Sequence, residues 1–309
     1  MAERWRGVFT ILLTPFTEDG ALDEDGLRRE ADFVCEGGAH GLVTPVNSSE
    51  FYLLADDERR RLAEVVLERT GGRAPVVIGV AAPAVATAEA LARHARDAGA
   101  AGVIAMPPYV VPPDEAGRRD YYARLARAAG GLPVVVQNVG GEVGVPMAPE
   151  AVARLTAEVP AARYVKEETA PSPHRIAALL RLAGDRLDGV FGGSGGRYLV
   201  EELERGAGGL MSGCHLADAQ VRVYDRFRAG DVAGARAAFV RQLPAQTLWA
   251  LLGLGLAKEV LRRRGVFRTA VCRRPTPALD AADHAALDQA LALVTEDVAA
   301  GPWGWRRGA

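Results

Sequence analysis

The sequence predicts an α/β fold, a TIM (β/α)8 barrel with a C-terminal helical subdomain. Three observations lead there. Short apolar runs rich in β-branched residues alternate with amphipathic segments through the first two-thirds of the chain. Eight such runs can be counted, the number a closed parallel barrel requires. Beyond about residue 220 the strand signal stops while helical patterning continues. At 309 residues the chain is long for one ordinary domain but normal for a barrel with an appendage.

The strand candidates, in order, are residues 8–13, 41–46, 76–80, 102–105, 133–137, 164–166, 189–191 and 209–211. Amphipathic segments at 25–35, 56–68, 87–98, 114–128, 149–156 and 172–182 read as the helices between them. Gly38-Ala39, Gly99-Ala100 and Gly206-Ala207 stand just ahead of strands, where glycine ends a helix and turns the chain back. Past the barrel, residues 221–228, 232–243, 246–264 and 283–299 are helical, with Pro244 and the pair Pro275 and Pro277 as breaks. The expected division is a catalytic barrel over 1–219 and a helical subdomain over 220–309.

Net charge is −2 with 25% charged residues, which argues against both disorder and a nucleic-acid-binding surface. The run Arg262-Arg263-Arg264 reads as a solvated helix end. The longest apolar stretch, 248–257, is too short for a bilayer, and 8–13 is too short for a secretory signal. Cys35, Cys214 and Cys272 are odd in number and scattered, as suits free thiols in a reducing cytoplasm. With no His-Glu-x-x-His, no paired cysteines and no dense acidic cluster, neither a metal nor another cofactor is expected.

The chain carries two lysines against 35 arginines. Arginine serves well for solvated charge and forked hydrogen bonds, but it cannot lose a proton near neutral pH and attack a carbonyl. Lysine can, in a dry pocket that favours the neutral amine. Lys166 ends the apolar run Arg163-Tyr164-Val165-Lys166, a position that invites imine chemistry. In such barrels the working residues sit at the C-terminal ends of the strands. That rule selects Thr14 and residues 47–50, 106–109, 137–138, 166–169, 192–196 and 211–214.

Those positions resemble the dihydrodipicolinate synthase / N-acetylneuraminate lyase family of class I aldolases and lyases. Residues 8–16 with Asp19-Gly20 are similar to its opening strand and turn, and Gly79-Val80, Ala98-Gly99-Ala100 and Pro107-Pro108-Tyr109 to its middle. Tyr164-Val165-Lys166-Glu167-Glu168-Thr169 resembles the strand with the Schiff-base lysine. Gly208-Gly209-Leu210-Met211-Ser212 looks like the last strand, and Lys258-Glu259, Gly265 and Pro275 like the tail. The resemblance implies that Lys166 condenses with the ketone of a 2-oxo acid, usually pyruvate. Aldol addition or cleavage with an aldehyde or similar non-dicarboxylate partner would follow. A dehydratase, deaminase or decarboxylase on a longer 2-oxo acid would use the same imine. A catalytically silent 2-oxo-acid-binding barrel is the third reading.

The remaining candidates follow the family's pattern and its exceptions. Asn47-Ser48-Ser49-Glu50 falls where the family grips the 2-oxo acid carboxylate, with Asn47 and Ser48 at paired hydroxyl positions. Glu50 either joins that loop's function or ties it down, and a helix-capping turn would use the same residues. Gln137 stands before Asn138 where the family has a proton-relaying tyrosine. Tyr109, matching a second family tyrosine, is the expected substitute through water, and Glu168 or His215 would otherwise have to approach the mouth. Glu142 replaces an arginine that binds a second carboxylate, which argues against dihydrodipicolinate synthesis itself. The bare loop Gly192-Gly193-Ser194-Gly195-Gly196 makes room for a second substrate or cradles an anion, with Gly193 and Ser194 as contacts. Met211 and Ser212 are expected to line the pocket, and Cys214, lacking an acid–base partner, is not expected to react. The candidate catalytic set is Lys166, Tyr109 and Gln137. Family likeness also implies a homo-oligomer, a tetramer built from dimers or a dimer.

Overall fold

Eight strands of two to five residues close into a barrel in chain order, every neighbour parallel. They are β1 (Gly7–Ile11), β2 (Gly41–Thr44), β3 (Val76–Gly79), β4 (Gly102–Ala105), β5 (Val134–Asn138), β6 (Tyr164–Glu167), β7 (Gly189–Gly192) and β8 (Gly209–Leu210). The computed structural model describes residues 4–141, 143–298 and 302–304. Closure depends on β8 pairing with β1, where Gly7 and Gly209 lie side by side. A Cβ on Gly209 would fall 1.8 Å from the Gly7 carbonyl oxygen, so only glycine permits the seam.

The barrel helices are α1 (Glu24–Glu36), α2 (Asp56–Thr70), α3 (Val85–Asp97), α4 (Glu115–Ala129), α5 (Pro149–Glu158), α6 (Ser172–Ala183), α7 (Leu199–Leu203) and α8 (Ala217–Arg228). Asp23 starts α1 by accepting from Gly26 N–H at 2.9 Å, and Asp114 does the same for α4 through Gly117 N–H at 2.8 Å. Outside the barrel run α9 (Val232–Leu252), α10 (Leu254–Arg263) and α11 (Ala281–Val294). The expected boundary after residue 219 falls within α8. Among the described residues no helix is long and apolar enough to cross a membrane.

Two expectations about helices need correction. Pro244 does not break the chain; it lies inside α9, exposed, while its neighbours Ala245 and Gln246 are buried. Proline forfeits one backbone bond, and the buried side of α9 holds the helix together across it. The break comes instead at Gly253 (φ 73), which divides the single segment expected over 246–264. The short α7 went unanticipated, because five residues carry too little periodicity to register.

Strand alternation decides what faces the barrel interior. Phe9, Ile11, Val43, Val77, Ile104, Val135, Tyr164, Phe191 and Met211 pack there as one apolar cluster. Trp5 closes its N-terminal end, stacked on Tyr164 with ring centroids 4.6 Å apart. Two residues beyond Tyr164 on the same inward side comes Lys166, and its register partner on β5 is Gln137. The apolar plug thus becomes the floor of a polar mouth.

Candidate active site

Lys166 is buried at the top of β6 with its Nζ 2.9 Å from Glu168 Oε2. Gln137 Nε2 donates to that same oxygen at 3.0 Å. The other carboxylate oxygen, Oε1, accepts from the Ser194 backbone N–H at 3.2 Å, and Ser194 Oγ donates to the Glu168 carbonyl at 3.4 Å. Glu168 N–H bonds Asn138 O at 2.9 Å, extending the β5–β6 ladder past the end of β6. Residues of β5, β6 and the loop after β7 therefore converge on one carboxylate. The sequence leads to an unpaired amine beneath a missing tyrosine. The structure instead pairs that amine with a carboxylate, and Gln137 fixes the carboxylate from the side.

The loop after β2 begins with a 3-10 turn over Asn47–Ser49. Asn47 Oδ1 is buried with no hydrogen-bond partner among the described residues, and Ser48 is half-buried beside it. At the start of such a turn the backbone N–H groups have no partner within it and suit an anion. Ser49 differs from expectation. It is fully buried, its Oγ donates to Leu12 O at 2.5 Å, and it accepts from Val46 N–H at 3.1 Å. Its hydroxyl builds the turn and has no proton left to donate to a substrate carboxylate.

Asn138, expected from the family pattern as a substrate contact, makes its bonds elsewhere. One position beyond Gln137, it faces outward, donating to Met147 O (3.0 Å) and Glu167 Oε2 (2.7 Å) and accepting from Met147 N–H (2.8 Å). Ser212 is likewise one residue beyond an inward neighbour, and its Oγ accepts from Gln220 of α8 at 3.3 Å. Met211 does reach the interior, fully buried in the apolar cluster. Glu142 lies outside the described residues.

Tyr109 stands half-buried with its ring 5.7 Å from Phe51 and edge-on to it. Burial pushes its phenol up, and the Arg59 guanidinium opposes that. No hydrogen bond among the described residues joins it to Lys166 or Gln137. No hydrogen bond among the described residues joins His215 to Lys166, Gln137 or Glu168 either. It is fully buried edge-on to Trp249, and burial, with Arg264 adding to it, drives its pKa down to about 3, so it is neutral. Cys214 donates its thiol to Glu30 Oε1 at 2.9 Å, and burial raises its pKa well above the ordinary thiol range.

The bare loop after β7 turns out to be full. A Cβ on Gly193 would lie 2.5 Å from Glu168 Cγ, and one on Gly192 would lie 1.6 Å from Glu202 Oε2. Gly195 faces Trp249 at 2.7 Å and Gly196 faces Gln220 at 2.9 Å. The room left by the missing side chains is occupied by the protein itself, not held open for a second substrate.

The profile of the Dihydrodipicolinate synthetase family matches residues 4–293. The chain belongs to the dihydrodipicolinate synthetase family. Its relatives include L-2-keto-3-deoxyarabonate dehydratase of Azospirillum brasilense, 32% identical over 287 residues, covering 89% of this chain and 90% of that one. The 4-hydroxy-tetrahydrodipicolinate synthase of Pelobacter propionicus is 33% identical over 272 residues, covering 84% and 91%. The crystal structure of dihydrodipicolinate synthase from Rhodopseudomonas palustris superposes with a TM-score of 0.85 at 29% identity, covering 94% of this chain and 98% of that one. Membership places the chain among lyases and aldolases that act on small molecules.

The full burial of three further groups in this family member was not legible in the sequence. Glu30 and Glu202 are wholly buried, and burial raises both carboxyls to about 8. Lys258 Nζ sits 2.6 Å from Glu50 Oε1, both side chains fully enclosed. The scarcity of lysine was the one signal available for the last of these. It marked both lysines, and the place of Lys258 in the tail pattern suits a structural role, but nothing in the sequence pointed to Glu50 as its partner.

Proposed function

We propose that this protein forms an imine between Lys166 and a 2-oxo acid, with Glu168 carrying the protons that a tyrosine carries elsewhere in the family, and that it eliminates water from a 3-deoxy-2-oxo sugar acid. One observation supports the reading above all: the Glu168 carboxylate lies 2.9 Å from Lys166 Nζ and 3.0 Å from the Gln137 amide. Passing the ammonium proton to Glu168 leaves a neutral amine, which adds to the C2 carbonyl. Glu168 returns the proton to the carbinolamine oxygen, water departs, and a protonated imine remains. Gln137 cannot titrate. Its part is to hold Glu168 in line.

The substrate carboxylate would lie against Asn47, Ser48 and the N–H groups opening their turn. The imine acidifies the C3 hydrogens. Removal of one as a proton gives an enamine whose electron pair expels the C4 hydroxyl, protonated on leaving, as water. Hydrolysis of the resulting conjugated imine frees the lysine. A single carboxylate that can first accept and then donate suits this order of events. The similarity to a relative named a dehydratase supports it further. Aldol addition or cleavage between pyruvate and an aldehyde is the second reading, favoured by the relatives named synthases. In that reaction Glu168 would take the proton from the C4 hydroxyl instead. An oligomer, as family likeness implies, would bring subunits together near Tyr109.

Reduction with borohydride in a panel of 2-oxo acids, followed by intact mass measurement, tests the imine. The expected result is a stable adduct on Lys166. Incubation with 3-deoxy-2-oxo sugar acids should then release water without releasing pyruvate. Release of pyruvate and an aldehyde overturns the dehydratase reading in favour of the aldolase. Binding without any adduct overturns both and leaves a silent barrel.

A further inference from the structure

We infer that Lys258, held in the C-terminal helices, is a positioning residue that fixes the Asn47–Ser49 turn in the shape that receives a 2-oxo acid carboxylate. The inference rests on the proposed role of that turn. Glu50 follows the turn directly and adopts a left-handed conformation (φ 56, ψ 32) that costs a non-glycine residue energy and needs external support. That support is its carboxylate. Oε1 meets Lys258 Nζ at 2.6 Å, and Oε2 accepts from Arg274 N–H at 2.7 Å. Both partners come from the C-terminal third of the chain.

Lys258 is fixed in its turn. Its Nζ also donates to Val271 O at 2.7 Å and sits 4.4 Å from the centre of the Phe16 ring. The ammonium is thus enclosed by Glu50, Val271 and Phe16, and its charge is balanced by Glu50. It is not a receptor for a second anion. Its influence reaches the mouth through the backbone: Glu50 N–H bonds Asn47 O at 3.1 Å, and Ser49 N–H bonds Val46 O at 2.8 Å. Those bonds set the peptide planes of the turn, and with them the directions of the Asn47 amide and the opening N–H groups. A carboxylate gripped by two or three donors is sensitive to such directions, because hydrogen bonds weaken steeply as they bend.

The test uses two ketones that differ only in the anion, pyruvate and methyl pyruvate. The readout is the concentration giving half-maximal borohydride-trapped adduct on Lys166. Removing Lys258 alone strands a buried carboxylate and endangers folding. The main variant is therefore Lys258→Met with Glu50→Gln, which keeps an acceptor for Arg274 N–H, and circular dichroism checks its fold. The wild type should saturate at lower pyruvate than methyl pyruvate. In the double variant the pyruvate value should rise about tenfold while methyl pyruvate barely moves, as expected for the loss of well-directed hydrogen bonds to a charged group. Equal shifts for both ketones, or no shift for either, overturn the inference. A wild type that does not distinguish the ketones overturns the carboxylate role of the turn and this inference with it. A wild type that forms no adduct at all overturns the imine reading instead.

Discussion

The barrel mouth and the wall behind it hold the same chemical pair, a lysine and a glutamate at nearly the same distance: Lys166 with Glu168 at 2.9 Å, Lys258 with Glu50 at 2.6 Å. Their surroundings separate them. The wall pair is sealed at 0% exposure on both sides, and the Lys258 ammonium has Val271 O and the Phe16 ring as further neighbours. The mouth pair is half of a shared arrangement, with Gln137 and Ser194 on the carboxylate and 15% of the Glu168 side chain open. A buried ion pair is reactive where its proton has somewhere to go and a substrate can reach the amine. Enclosure on every side turns the same pair into a fastener.

The comparison breaks most visibly at the two lysines. Lys166→Arg should abolish the trapped adduct and cut turnover by at least about 10⁴-fold, as loss of a covalent nucleophile does. Normal turnover by that variant would show that another group reacts. Next in size, Glu168→Gln should leave the fold intact and slow adduct formation by roughly 10²–10⁴-fold, the range of a lost general acid–base group. Stopped-flow trapping at saturating 2-oxo acid measures it, and an unchanged rate would remove Glu168 from the mechanism.

The wall can be probed by pH. Glu30, buried near Lys258, is raised from 4.5 to about 8, chiefly by burial, with the Cys214 thiol, the Leu13 N–H and Lys258 opposing the rise. The folded protein therefore keeps a proton that the unfolded chain releases once pH passes about 4.5. Stability from this group is full below that pH, falls as pH rises, and levels off above about 8. Glu30→Gln should flatten the decline between pH 5 and 8 by up to about 3–5 kcal/mol in urea denaturation. A slope identical to wild type would mean that Glu30 is ionised in place. The smallest effect is expected from Gln137→Tyr, which adds a titratable group beside Glu168 without removing the nucleophile. The adduct on Lys166 should persist, and its loss would mean that the amide does more than hold Glu168.

The barrel was legible because strand and helix signals alternate along it, α7 excepted, down to the two-residue β8, where glycine marks the seam. Pro244 misled because a single lost bond does not outweigh a helix face buried against its neighbours. The buried place of Lys166 at the top of β6 was legible from the apolar run that it ends. Asn138 and Ser212 were misassigned through adjacency: each lies one residue past an inward position, and alternation turns it outward. Glu168 was legible only as a group able to approach the mouth; its partners could not be read, since Gln137 lies on β5 and Ser194 in the loop after β7, and they meet it only once the barrel closes.

The packing behind the loop after β7 bears on how this protein can change. Gly192, Gly193, Gly195 and Gly196 each abut another residue's side chain closely enough that adding one carbon would collide with it. A library randomised across that stretch should yield mostly inactive clones, with Gly193 bearing directly on the site because a Cβ there would meet the stem of Glu168, the partner of Lys166. New substrate preferences, in evolution or at the bench, have to be written on the opposite rim.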